Sequence, residues 1–155
     1  ENIKLLILDV DGVMTDGGML FTAQGDELKK FNTKDGLGIL KLRDTDIELG
    51  IISSGFSSEI VQKRAEMLRI ENCYVGREAK ISILQSWVTE KGLDFEQVAM
   101  IGDDINDKEV MSRIGLAACP VDAVDEIKSI SHVILKHKGG EGCIREFIDN
   151  YLQKG

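Results

Sequence analysis

Proline is almost absent: Pro120 stands alone in 155 residues, and no low-complexity tract accompanies it. Nothing marks a linker, and the length suits one domain with a real core, residues 1–155, better than two. Cysteine is scarce. Cys73, Cys119 and Cys143 are odd in number, widely spaced, and lack a CxxC pair or a companion histidine cluster. Neither a disulfide framework nor a zinc site is suggested, and a reducing, cytoplasmic setting fits best. Basic residues are outnumbered, 19 Lys and Arg against 27 Asp and Glu, for a formal charge of −8 with no basic run. Such a surface repels nucleic acid and anionic membranes. Long apolar runs are missing too: Ile3 to Val10 is broken by Lys4 and Asp9, far short of the roughly 20 residues that span a bilayer. An acidic protein that handles an anionic substrate must supply attraction locally, through a bound cation and a few placed Lys or Arg side chains.

What is present is alternation. Apolar runs at Ile3–Leu8, Ile47–Ile52, Val98–Ile101 and His132–Leu135 have strand length. Between them, helices are expected over Gly36–Arg43, Ser58–Leu68 with Ser57 as cap, Ala79–Lys91, Asp107–Ile114 with Asn106 as cap, and Ile144–Leu152. This order predicts an α/β fold, a Rossmann-like parallel sheet with helices on both faces. One segment departs from it. Met19–Phe21 and Leu28–Phe31 flank the turn-like Ala23-Gln24-Gly25-Asp26 and predict an antiparallel β-hairpin after the first strand.

Open parallel sheets bind ligands at the carboxyl ends of their strands. The first strand runs into Asp9-Val10-Asp11-Gly12, with two carboxylates two residues apart before a glycine. The second ends in Ser53-Ser54-Gly55, small hydroxyls and N–H groups suited to phosphate oxygens at a helix start. Lys80 opens a later helix after Gly76-Arg77-Glu78-Ala79. Met100-Ile101-Gly102-Asp103-Asp104-Ile105-Asn106-Asp107 then ends a buried strand in a cluster of acids suited to a hard cation. Taken singly, each has a plain alternative: a solvated loop, an ordinary cap, a surface lysine, an acidic turn. Their order, each at the end of an apolar run, joins them.

From Ile3 to about Ile114 these four signals resemble the motifs of the haloacid dehalogenase superfamily. By that resemblance Asp9 is the nucleophile on phosphorus, Asp11 the general acid and base, Ser54 the phosphoryl-holding hydroxyl and Lys80 the neutralising cation. Asp9, Asp103 and the backbone carbonyl of Asp11 would bind magnesium, with Asp104 and Asp107 orienting Lys80 or the metal's waters. The chemistry agrees. A carboxylate attacking a phosphate monoester meets charge repulsion, which a magnesium ion and a lysine offset.

Neither the stretch after the first motif nor the fewer than thirty residues between Ser54 and Lys80 has room for a cap domain. Asp9–Gly17, Phe31-Asn32-Thr33-Lys34-Asp35-Gly36 and Gly139-Gly140-Glu141-Gly142-Cys143-Ile144-Arg145-Glu146 resemble the capless sugar-acid phosphatases over nearly the full length. That branch comprises 3-deoxy-D-manno-octulosonate 8-phosphate phosphatases, 2-keto-3-deoxy-nonulosonate 9-phosphate phosphatases and a domain fused to some sialic acid cytidylyltransferases, enzymes of lipopolysaccharide or sialic acid biosynthesis. It implies a homotetramer whose hairpins form a central barrel and whose neighbouring subunit covers the site. The substrate contacts expected are Ser54, Gly55, Phe56, Arg64, Thr33 and Gly140. Phe56 stands where the octulosonate enzymes usually carry Arg and the nonulosonate type an acid, so a looser choice among these sugars is expected. Arg64 suits a planar bidentate contact with a sugar carboxylate. The alternative is a noncatalytic oligomerisation domain like that of the fused relatives. The intact Asp9, Asp11, Lys80 and Asp103 argue against it, because converging charges without a role are costly.

Overall fold

Leu5–Leu8 is apolar at every position, as a strand covered on both faces must be, and it forms the wholly buried central strand β1. In this computed structural model, which describes residues 2–152, β1 is flanked by parallel partners. Two short strands, β2 (Leu20–Phe21) and β3 (Glu27–Leu28), follow it, and then helix α1 (Thr33–Lys41). The chain continues through β4 (Glu48–Ser53), α2 (Ser58–Met67), β5 (Asn72–Val75), α3 (Lys80–Lys91), β6 (Val98–Ile101), α4 (Lys108–Met111), β7 (Leu116–Cys119), α5 (Asp125–Ile130), β8 (Val133–Ile134) and α6 (Cys143–Phe147). The six-stranded sheet has the order β5-β4-β1-β6-β7-β8, with every adjacent pair parallel.

Alternating side chains of β1 serve the two faces. Leu6 and Leu8 pack with Ile39 of α1, Val61 of α2 and Phe147 of α6. Leu5 and Ile7 pack with Leu84 and Val88 of α3, Met111 of α4 and Ile127 of α5. Each such fully buried side chain contributes about 1.5–3 kcal/mol, so the strand ends that carry the polar residues are held on a stiff frame. No helix among the described residues is long and apolar enough to cross a membrane.

β2 and β3 form the expected hairpin, with Leu20 opposite Leu28 and Phe21 opposite Glu27. Among the described residues a helical turn over Val10–Met14 and this hairpin lie between β1 and α1, and α2 and β5 between β4 and α3, with no cap domain at either place. The second hairpin strand ends at Leu28 rather than Phe31, and Phe31 turns inward against the core.

Several boundaries move for identifiable reasons. α1 begins at Thr33 instead of Gly36 because the Asn32 side chain accepts from the N–H groups of Lys34 and Asp35, capping the helix ahead of its glycines. Ser57 sits at the cap position of α2 but makes no capping bond through its side chain. The expected Asn106 cap is replaced by Asp104, which accepts from Ile105 N while Asp107 accepts from Asp104 N in return. A 3₁₀ turn over Ile105–Asp107 therefore precedes a helix that reaches only Met111. The last expected helix splits into α6 and a wider turn over Ile148–Leu152. Two strands and one helix were not expected, namely β5, β7 and α5.

Candidate active site

Three strand ends meet in one cleft of about 310 Å³. From β1 come Asp9 and Asp11; from β4, Ser53, Ser54 and Gly55; from the turn after β6, Asp103, Asp104 and Asn106. A smaller cleft of about 190 Å³, between Ile3-Lys4 and Asp46-Ile47, lies at the amino ends of the strands and gathers no comparable set of acids.

The loop after β1 turns sharply because Gly12 adopts φ +89°, a region side chains disfavour. A Cβ there would also fall 1.8 Å from Asp103 Oδ2, so only glycine lets these two strand ends close. The buried Thr15 hydroxyl accepts from the N–H of Gly12 at 3.4 Å and of Gly17 at 3.1 Å, fixing the loop from within.

Asp9 is almost fully buried, and Lys80 Nζ donates to its Oδ1 at 2.9 Å and to Asp107 Oδ1 at 2.6 Å. Lys80 is the first residue of α3, where the helix dipole disfavours a cation. Its placement is explained by the two acids, not by the helix. Burial alone would lower the ammonium's pKa, but Asp9 and Asp107 outweigh it and the net shift is upward. Asp107 is wholly buried, and its other oxygen accepts from Asp103 N at 3.0 Å, tying Lys80 to the β6 turn.

Asp9, Asp103 and Asp107 gather carboxylate oxygens within 4.8 Å of one another. Three acids against one ammonium leave excess negative charge. Burial, then the Asp107 charge, raises the Asp9 pKa well above the ordinary carboxylate range, with Lys80 only partly offsetting this. Asp103 is pushed up to about 6, chiefly by burial, with a hydrogen bond to Asp9 opposing and the charges of Asp107 and Asp104 adding.

Residues 52–147 match the family model of haloacid dehalogenase-like hydrolases. The 3-deoxy-D-manno-octulosonate 8-phosphate phosphatase of Yersinia pestis is 40% identical over 151 residues, covering 97% of this chain and 80% of that protein. The chain belongs to the haloacid dehalogenase-like hydrolases. Among solved structures it is similar to the Moraxella catarrhalis 3-deoxy-D-manno-octulosonate 8-phosphate phosphatase in complex with magnesium ion, phosphate ion and KDO. That match has TM-score 0.91 and 32% identity, and covers 96% of this chain and 84% of the other. It is also similar to the cobalt-bound Haemophilus influenzae deoxy-D-mannose-octulosonate 8-phosphate phosphatase, with TM-score 0.88, 35% identity, and coverage of 96% and 86%.

The donors fit a hard divalent cation. Asp103 Oδ1 is buried without a hydrogen-bond partner, and an orphaned carboxylate oxygen beside a second buried carboxylate is costly unless a cation meets it. Asp107, whose oxygens are taken by Lys80 and the Asp103 N–H, is the poorer ligand of the three. Asp104 lies on the cleft but uses one oxygen to cap the following turn.

Ser54 and Gly55 line the cleft, while the other four expected substrate contacts do not line it in their own chain. Arg64 donates to Asn32 O at 3.3 Å and lies 5.2 Å over the Phe31 ring, locking α2 to the start of α1. Thr33 is exposed in the first turn of α1. Gly140 packs behind the β1 loop, with its N–H donating to Val13 O. Phe56 is 80% exposed, with the Arg77 guanidinium 4.9 Å above its ring.

Two residues were missed. Asn106, read only as a cap, lines the cleft and donates to Ser54 Oγ at 3.2 Å. Lys29, at the end of the hairpin, donates to Asp11 Oδ1 at 2.7 Å. Nothing near Lys29 in sequence signals this, since a lysine next to a hairpin strand normally faces water.

Proposed function

We propose that the chain is a magnesium-dependent phosphatase that removes the terminal phosphate of a 2-keto-3-deoxy sugar acid, with 3-deoxy-D-manno-octulosonate 8-phosphate as the leading substrate. The observation that carries this reading is the buried Asp9, gripped by Lys80 and facing an unpartnered Asp103 oxygen across a cleft that also holds Ser54 and Gly55. Full-length similarity to octulosonate phosphatases, one solved with magnesium, phosphate and KDO, supports the substrate class.

In this mechanism the Asp9 carboxylate forms a bond to phosphorus as the bond to the sugar oxygen breaks, and Asp11 gives that oxygen its proton. Asp11 then takes a proton from water, whose oxygen attacks phosphorus. The bond to Asp9 breaks and phosphate leaves. Lys80 holds Asp9 in place and balances charge on the phosphoryl oxygens, while Ser54 and the Gly55 N–H would hold them. Asp9, Asp103 and the Asp11 carbonyl would hold a magnesium ion, which would supply charge neutralisation for the approaching anions. A noncatalytic oligomerisation domain would explain the hairpin, but has no use for this buried charge set.

The test is kcat/KM across octulosonate 8-phosphate, nonulosonate 9-phosphates, hexose phosphates and nucleotides. Sugar-acid phosphates should lead by about tenfold or more, with little separation between eight- and nine-carbon chains because Phe56 offers an apolar wall. Equal turnover of hexose phosphates would remove the substrate assignment and leave the chemistry standing.

The same reading includes a cytoplasmic homotetramer. Met19, Leu20, Phe21 and Leu28 are all more than half exposed on one short hairpin, an apolar patch that a small protein does not leave in water. In such an assembly the exposed Thr33 and Phe56 would serve a neighbouring copy's cleft. Light scattering should report four chains at micromolar concentration, and Phe21→Asp should shift the population toward smaller species. A wild-type monomer would rule the assembly out.

A further inference from the structure

We infer that Lys29 is a positioning residue for the reaction: it fixes the Asp11 carboxyl so that one chosen oxygen faces the leaving group. This rests on the proposed role of Asp11 as acid and base. The Lys29 side chain is only 5% exposed, although the hairpin it follows is largely open to water. Its ammonium donates to Asp11 Oδ1 at 2.7 Å and to Glu27 Oε2 at 3.1 Å. Glu27 lies two residues back on β3 and is itself largely covered, so the lysine is anchored from its own strand before it reaches Asp11.

The two oxygens of Asp11 are thereby made different. Oδ1 is occupied by Lys29, whereas Oδ2 points toward Gly55, close enough that a Cβ there would lie 3.4 Å from it. Gly55 belongs to the turn that would hold the phosphoryl group, and both residues line the cleft. Oδ2 is therefore the oxygen that hands its proton to the departing sugar oxygen. An Asp side chain on an open loop would otherwise rotate between both oxygens, and proton transfer depends on a donor held at hydrogen-bond distance. Asp11 has nearly half its side-chain surface exposed and no other side-chain hydrogen bond partner among the described residues, so this grip comes from Lys29.

Two esters with different leaving groups separate this role from a structural one. Octulosonate 8-phosphate expels a primary alkoxide, which needs the proton; p-nitrophenyl phosphate expels a phenolate, which does not. Lys29→Met should lower kcat on the sugar ester by about tenfold to 10²-fold, a part of the roughly 10²–10⁴-fold that proton transfer contributes, and change kcat on the aryl ester less than about threefold. Lys29→Arg should recover most of the loss. In an Asp11→Asn background, Lys29→Met should cost nothing further on the sugar ester. Equal losses on both esters, a rise in KM alone, or an additive loss with Asp11→Asn would overturn the inference. If wild-type protein hydrolyses neither ester, the phosphatase reading falls with it. If it hydrolyses only the aryl ester, the sugar-acid assignment alone falls, and glycerol 3-phosphate serves as the alkyl ester for the same comparison.

Discussion

Asp9→Asn is expected to lower turnover by roughly 10⁴-fold or more, the scale on which loss of a covalent nucleophile acts, while the fold stays intact. The amide oxygen can still accept from Lys80 Nζ, which sits 2.9 Å from Asp9 Oδ1. Asn is nearly isosteric with Asp but is a poor nucleophile and a weaker magnesium ligand. Two thermal measurements accompany the kinetic one. Without metal, the variant should melt at or above the wild-type temperature, because one of three crowded carboxylates has been neutralised. With saturating magnesium, wild type should gain stability through ligand binding and the variant should gain much less. Preserved turnover in folded Asp9→Asn would remove the proposed mechanism. A metal-free melting point well below wild type would contradict the picture of an over-charged cluster.

Lys80→Met should have the largest effect on stability, about 3–5 kcal/mol, the range found when one partner of a buried ion pair is removed. Methionine fills much of the space of the lysine stem, so the loss isolates the charge. Asp9 and Asp107 would be left buried, with Asp107 wholly inaccessible, and their shared counter-ion gone. The size of the loss should depend on pH, with a definite sign. A carboxylate whose folded pKa is raised binds more protons when folded, so stability falls as pH rises from the unfolded value through the folded one. Asp9 is already raised in the wild type, and removing Lys80, which pulls it down, raises it further. Urea unfolding of metal-free protein should therefore show a larger penalty at pH 8 than at pH 5. A penalty that is flat over that range would mean the lost contacts are packing rather than charge.

The strand-end logic made much of the cleft legible in the sequence. Asp9, Asp11, Ser54 and Asp103 each follow an apolar run, and the parallel sheet brings those runs side by side, whereas Lys80 was legible only as the opening of a helix. Asp107 was legible as a residue that could orient Lys80, and its carboxylate does bond Lys80 Nζ. What sequence could not supply was pairing between distant surfaces. Lys29 and Asp11 are joined across 18 positions by how the hairpin folds back, and no local pattern encodes that. Arg64 has the composition of a substrate contact, yet Phe31 and the Asn32 carbonyl claim it within its own chain. β7 escaped notice because Leu116-Ala117-Ala118-Cys119 has small side chains without strand propensity; its pairing with β6 makes it a strand. β5 is half-buried and mixes Asn72 and Tyr74 with its apolar residues, while α5 buries only Ile127 and so gives no periodic stripe.

The segment around Gly139 and Gly140 is wedged behind the loop that carries the two leading aspartates. A Cβ at Gly139 would stand 1.8 Å from the Gly12 carbonyl oxygen, Gly140 N–H bonds Val13 O, and Cys143 Sγ meets the same carbonyl from 130 positions away. At ribosomal speeds of roughly 5–20 residues per second, the loop emerges on the order of ten seconds before its brace exists. A nascent chain at that stage thus carries Asp9 and Asp11 in an unbraced loop. Under the proposed mechanism, Asp9 and Asp11 would be placed for catalysis only after the glycine wedge has been made and seats behind their loop.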